Sequence, residues 1–288
     1  MPDLYRSPAG ERAVRAWCRD RLVAWPTPHE VETLSTSAGD THLTTLGTGP
    51  ACLYLPGTNF NAATSTALLD ALGQSFRVVC ADLPGQPGLS AAGRPADETA
   101  GYARWVGEVL AHVSGIAPEV PPVLVGHSRG AAVALSADPE AVQGLLLLSP
   151  AGLARVRVTP AVLVRSIAWL VRPSTRRSRR LVDLMAGRTG GSDGLEPVTD
   201  WMTLVARRTR TTGAPGPLPA GVLDRWRGRR VRVLVGGHDV FFPPARIAGP
   251  AREHLGAAVE VVDAAGHLLV DQEPALVAQH ARWLAGPG

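Results

Sequence analysis

Gly126-His-Ser-Arg-Gly130 sets a serine between two glycines, with His127 and Arg129 as its neighbours. A serine hydroxyl is a poor nucleophile until a base takes its proton and its Oγ is exposed to an electrophile. The flanking residues suit such exposure: Val123–Val125 is strand-like and Ala131–Leu135 is helix-forming. A strand-to-helix turn this tight leaves no space for a Cβ at Gly126 or Gly130. It presents Ser128 at the strand's end, where N–H groups at the start of the helix face developing negative charge. The pentapeptide alone also fits a serine that merely caps a helix. The strand before and the helix after favour the nucleophile elbow.

The elements that would position this turn follow a repeating rhythm. Ala9 to about Val23 reads as an amphipathic helix ended by Pro26 and Pro28. Val31–Ser35 and His42–Leu46 read as an antiparallel hairpin turned at Ser37-Ala-Gly-Asp40. Short apolar runs follow at Ala51–Leu55, Phe76–Ala81, Pro122–Val125, Val142–Leu148, Val231–Val235 and Val259–Val262. Helical spacing alternates with them at Ala62–Leu72, Asp97–Val113, Arg129–Ala137, Pro243–Leu255 and Pro274–Leu284. Strands alternating with helices imply parallel pairing, because each parallel step needs a crossover. The expected fold is therefore α/β: a mostly parallel central sheet with helices on both faces.

Between residues 151 and 221 the strands stop. Leu163, Ile167 and Leu170 fall at helical spacing, as do Leu181, Leu184 and Met185, and Leu204 and Val205 mark a third helix. Gly190–Gly194 and Gly213–Pro219 read as loops. The expected division is an N-terminal helical extension over 1–30, a core over 31–150 and 222–288, and an inserted helical cap over 151–221.

From the elbow and this element order the chain resembles the α/β-hydrolase superfamily, over Val31 to Leu284. The resemblance implies nucleophile, acid and histidine in that order along the chain. Gly236-Gly-His-Asp239 follows the strand where the family carries its acid, and Ala265-Gly-His267 follows the last strand, where it carries its histidine. Some relatives carry the acid one strand earlier, but here that place reads Ser149-Pro-Ala-Gly152 and holds no carboxylate. A catalytic triad of Ser128, Asp239 and His267 is the expectation, against a turn aspartate and a loop histidine as plainer readings. The oxyanion hole is expected from the backbone N–H of Arg129 and of Thr58, in the loop Pro56-Gly-Thr-Asn59. Pro56 stands where relatives usually have histidine. Arg129 is a second departure; it could face an anionic substrate or reach an internal carboxylate. Asp82-Leu-Pro-Gly-Gln-Pro-Gly-Leu-Ser90 resembles the family's D-x-x-G-x-G-x-S loop and reads as a structural turn.

Composition bounds the rest. At 288 residues with 45% hydrophobic and 19% charged, the chain has the balance of a folded domain. All 29 basic residues are Arg, and twelve of them lie in 151–221 against four acids, a balance of +8 in a chain of net charge +4. That patch could attract an acidic acyl-carrier protein, or be a solvated face in an Arg-rich chain, which is the expected outcome. No binding motif surrounds it, so no nucleic-acid partner is expected. No apolar stretch reaches the roughly 20 residues of a membrane span, and Met1–Arg6 lacks a signal-peptide run, so a cytoplasmic place and no membrane contact are expected. Cys18, Cys52 and Cys80 show no metal-binding spacing and read as structural, and no metal or cofactor is expected.

The expected activity is hydrolysis of a small carboxylic ester, or a lactone or thioester, through an acyl-enzyme on Ser128. Alternatives are a non-hydrolytic or C–C bond-cleaving enzyme on the same scaffold, and a ligand-binding protein with a vestigial triad.

Overall fold

The computed structural model describes residues 4–116, 120–187, 194–210 and 213–286. Arg188 and residues 190–193 of the expected Gly190–Gly194 loop lie outside them. The chain opens with α1 (Pro8–Val23), capped by the Ser7 side chain accepting from Gly10 N. The hairpin β1 (Glu30–Thr36) and β2 (Gly39–Leu46) turns on only two residues, Ser37 and Ala38, with Gly39 at φ +95°. Both strands run past their apolar stretches, β1 being exposed or half-exposed along its length and β2 exposed at Gly39 and Asp40. β3 (Ala51–Leu55), α2 (Thr66–Gly73), β4 (Arg77–Ala81), α3 (Glu98–Ile116), β5 (Val123–His127), α4 (Arg129–Leu135) and β6 (Gly144–Leu148) follow. The expected helix Ala62–Leu72 is split: Ala62–Thr64 is a 3-10 turn, and Ser65 at φ −114° breaks it from α2.

After β6 come three helices without strands, α5 (Pro160–Val171), α6 (Thr175–Met185) and α7 (Glu196–Arg208). The short α8 (Ala220–Leu223) leads to β7 (Val231–Gly236), α9 (Pro244–Pro250), β8 (Val259–Val262), α10 (Leu269–Gln272) and α11 (Pro274–Ala285). The expected helix Pro243–Leu255 changes character at Pro250, which has no N–H to continue the ladder; a wider turn then runs to Leu255 and ends at left-handed Gly256.

The eight strands form one sheet in the order β1-β2-β4-β3-β5-β6-β7-β8. β2 pairs antiparallel with β1 and β4, and every later pairing is parallel. Side chains alternate between two cores. Cys52, Tyr54, Val123 and Val125 face one side, with α1, α2, α11 and the inserted helices. Leu53, Leu55, Leu124 and Val233 face the other, with α3, α4 and α9. Burial on both faces is why these strands read as unbroken apolar runs rather than alternating ones. The three cysteines are free and buried within this packing. Among the described residues, no helix is long and apolar enough to cross a membrane.

Candidate active site

The ends of β5, β7 and β8 lie at the same edge of the sheet, and each carries one predicted site residue beyond it. After β5 the chain reverses at Ser128, whose φ of 51° and ψ of −112° are unusual for a side-chain-bearing residue. Such strain persists only where the surroundings impose it. Ser128 N donates to Leu148 O at 2.9 Å and its own carbonyl accepts from Ala151 N at 3.1 Å, which pins the turn to the end of β6. A Cβ at Gly126 would lie 2.7 Å from Ala131 Cα, and one at Gly130 would collide with Leu55 O. Gly126 is therefore required by the turn itself, and Gly130 by the close approach of the end of β3.

The structure brings Ser128, His267 and Asp239 into one hydrogen-bonded chain. His267 Nε2 lies 3.1 Å from Ser128 Oγ, and His267 Nδ1 lies 2.9 Å from Asp239 Oδ2. All three residues are buried. The second Asp239 oxygen, Oδ1, accepts from Phe241 N at 2.8 Å and Phe242 N at 2.9 Å. Burial opposes the charge on Asp239, but the His267 ring and these hydrogen bonds outweigh it and hold the carboxyl below its ordinary range. With Asp239 ionised, Nδ1 of His267 is the protonated nitrogen, which leaves Nε2 to accept from the serine.

His127 sits behind the pair. Burial first, and the neighbouring His267 second, push its pKa down to about 3, so it is neutral. Its Nε2–H donates to the carbonyl oxygen of His267 at 2.9 Å, which steadies the histidine loop.

Thr58 lines the same cavity as Ser128, and a Cβ on the adjoining Gly57 would come 3.3 Å from Ser128 Cβ, so this loop rests directly on the elbow. Asn59, at φ 66°, is held from two sides: its N–H donates to Gln86 Oε1 at 3.0 Å, and its carbonyl accepts from Trp201 Nε1 at 2.6 Å. Gln86 belongs to the 82–90 loop, whose Asp82 carboxylate accepts from Ala62 N and Leu89 N. Trp201 belongs to α7. Neither was singled out from the sequence, because partners 27 and 142 residues away leave no local signal.

The Arg129 side chain is only 2% exposed and is not among the residues lining the cavity that Ser128 lines. It donates to Glu98 Oε2 at 3.0 Å, to Gly213 O at 2.6 Å and to Thr58 Oγ1 at 3.4 Å. Of the two sequence-level alternatives, the internal carboxylate is the observed one.

A cavity of about 350 Å³ opens onto Ser128 and His267. The inserted helices wall it with Trp169, Leu181, Met185 and Met202, and the core adds Phe60 and Phe241. Among the described residues, no Arg, Asp or Glu lines it. The inward face of α5 is Val162, Ser166, Trp169 and Leu170; Leu163 and Ile167 turn outward. Also among the described residues, no group of three or more His, Cys, Asp or Glu is placed to hold a metal ion.

Known proteins resemble this chain in sequence and in fold. An uncharacterized protein of Mycobacterium tuberculosis, Rv2715, is 27% identical over 258 residues, covering 80% of this chain and 73% of its own. The naproxen esterase of Bacillus subtilis superposes with a TM-score of 0.79 at 18% identity, covering 99% of this chain and 100% of that one. Carboxylesterase CesB of the same organism gives 0.74 at 20% identity, with 97% and 99% covered. At these identities the two esterases show a common fold and no more. The alpha/beta hydrolase family model matches residues 52–280, a span that holds the elbow, Asp239 and His267. With an eight-stranded, mostly parallel sheet and a helical insert between β6 and β7, the chain belongs to the alpha/beta hydrolase family.

Proposed function

We propose that the protein is a serine esterase acting on uncharged, largely apolar carboxylic esters through an acyl-enzyme on Ser128. One observation carries the reading: the Ser128–His267–Asp239 chain ends in an apolar cavity whose described walls hold no charged carboxylate or guanidinium. Ser128 Oγ attacks the acyl carbon as its proton passes to His267 Nε2, and the Oγ–C bond forms. Asp239 stabilises the resulting imidazolium. The tetrahedral oxyanion is held by the backbone N–H groups of Thr58 and Arg129. His267 then returns the proton to the leaving alcohol as the ester C–O bond breaks. A water, deprotonated by His267, attacks the acyl-serine, and His267 passes that proton to Ser128 Oγ as the acyl C–Oγ bond breaks and the acid is released.

The cavity supports esters over acidic substrates, since burying an unpaired carboxylate against Phe60, Trp169 and Phe241 would be costly. The same chemistry applies to lactones and thioesters of similar polarity. A fluorophosphonate probe followed by mass spectrometry tests the nucleophile: label is expected on Ser128 and absent from Ser128→Ala. In parallel, p-nitrophenyl esters of graded acyl length should be turned over by the wild type, with kcat at least roughly 10³-fold lower in Ser128→Ala and His267→Ala. Equal turnover by wild type and Ser128→Ala would remove Ser128 from the mechanism. A wild-type chain that takes no label and cleaves none of these esters would instead favour a binding protein.

A further inference from the structure

Helix α5 is apolar on two opposite faces, and only one of them is covered. Its inner face lines the cavity through Val162, Trp169 and Leu170. Val164, Ile167, Ala168 and Val171 stand at i, i+3, i+4 and i+7, a single stripe on the opposite side. Val164 is 64% exposed and Val171 71%, and Leu163 and Ile167 beside them are about half exposed. A helix apolar all round is ordinarily enclosed on every side. Here the outer side forms a shallow groove whose rim carries Arg172 and Arg177. Arg165, Arg176 and Arg180 are exposed on α5 and α6 nearby. From residue 141 to 182 the sequence contains no Asp or Glu, so this face is basic around an apolar centre.

We propose that this face docks on an anionic lipid surface, with the Val164–Val171 stripe entering the acyl boundary and the arginines meeting lipid phosphates. An apolar stripe bordered by cations along one helix is the arrangement that lies in a bilayer interface, where apolar burial and attraction to anionic headgroups add. Charge argues against a second copy of the chain, because apposing two such faces brings one arginine rim against another. This is surface attachment by a 12-residue helix, not a spanning segment. That a docked enzyme would draw its ester from the bilayer rests on the esterase reading. Docking itself does not, and it is measured without turnover.

The experiment is flotation of purified Ser128→Ala protein with phosphatidylglycerol-containing phosphatidylcholine vesicles and with phosphatidylcholine vesicles alone. Binding is expected to be at least roughly tenfold stronger to the anionic vesicles and to weaken as salt rises. The same background carrying Val164→Ser, Ile167→Ser and Val171→Ser, and separately Arg172→Gln with Arg177→Gln, should lose that binding. Each set on the wild-type background should keep its melting temperature and its turnover of a water-soluble short-chain ester, because none of these residues lines the cavity. Equal recovery with both vesicle types, or undiminished binding in both variant sets, overturns the proposal. So does wild-type self-association that the serine variants abolish, which would make the occupant a second copy. Capture by an acidic polypeptide that depends on the arginines but not on the stripe would also overturn it, in favour of an acidic protein partner. Loss of ester turnover in the wild type would sink the esterase reading alone and leave the flotation result standing.

Discussion

The backbone N–H of His267 donates to the carbonyl of Met185, at the C-terminal end of α6, at 2.6 Å. The histidine that faces Ser128 is thus fastened to the inserted helices as well as to the core. Gln272 doubles the fastening: its Oε1 accepts from Gly266 N at 2.9 Å and its Nε2 donates to Ala186 O at 3.1 Å. A Cβ at Gly266 would collide with Met185 O, so the two segments approach as closely as backbone allows. The helices that shape the cavity and the base that acts in it therefore share one joint.

Gln272 is accordingly expected to act as a positioning residue. Gln272→Leu removes both bonds while keeping most of the bulk, and should lower kcat by about tenfold to a hundredfold with little change in KM. Gln272→Glu keeps an acceptor for Gly266 N and should recover part of the loss. Parallel falls in kcat and melting temperature that Gln272→Glu does not relieve would reduce the residue to a general structural role.

Arg129 gives a prediction of opposite sign. Its guanidinium is committed to Glu98 and to the Gly213 carbonyl, while only its backbone belongs to the proposed oxyanion hole. Arg129→Met should therefore cost stability, about 1–3 kcal/mol given that Glu98 is partly solvated, and leave kcat on a neutral ester within about threefold. Denaturant unfolding and steady-state kinetics check the two halves. A selective loss of activity on esters bearing a carboxylate, with stability unchanged, would return Arg129 to substrate recognition.

How far the sequence foretold this site depends on the range of each interaction. The strand that carries Ser128 was legible because burial on both faces makes it a continuous apolar run, the strand before Asp239 showed through Val233–Val235 despite the half-buried Arg232, and Gly126 and Gly130 announce the turn between β5 and α4. The Arg129 side chain was not legible: its carboxylate partner lies 31 residues earlier in the chain and the Gly213 carbonyl 84 residues later. Trp201 and Gln272 were missed for the same reason. On α5, spacing grouped Leu163, Ile167 and Leu170 on one helix, but which side turns inward is set by the cavity and by Met202, whose carbonyl accepts from Trp169 Nε1 at 2.9 Å. The break at Ser65 left no mark in the apolar pattern, whereas Pro250 was present in the sequence and its consequence for Pro243–Leu255 could have been drawn.

The cavity should set acyl length. Val162 projects into it from the covered side of α5. Val162→Phe adds bulk to a space of about 350 Å³ and should lower kcat/KM for long-chain p-nitrophenyl esters by at least roughly tenfold. The acetate ester, which needs less of the volume, should change by less than about threefold. Equal effects along the acyl series would mean that the acyl chain does not occupy this wall.

Asp271 offers a test in pH. Its Oδ2 is buried and has no hydrogen-bond partner among the described residues, and burial pushes the carboxyl up to about 7. In the unfolded chain the same group titrates near 3.9. Between those two values the folded state holds a proton that the unfolded state releases, so stability falls as pH rises across that window. Below it both states are protonated and the group contributes no difference; above it both are ionised and the full penalty is present. Asp271→Asn cannot ionise, and any constant cost of the amide is the same at every pH. The melting temperature of Asp271→Asn relative to wild type should therefore climb from pH 4 toward pH 8, with most of the change between about 4 and 7. Scanning calorimetry of both proteins across that range measures the gap directly. A gap that stays constant with pH would show that Asp271 ionises alike in the folded and unfolded chains, and that water reaches its carboxylate.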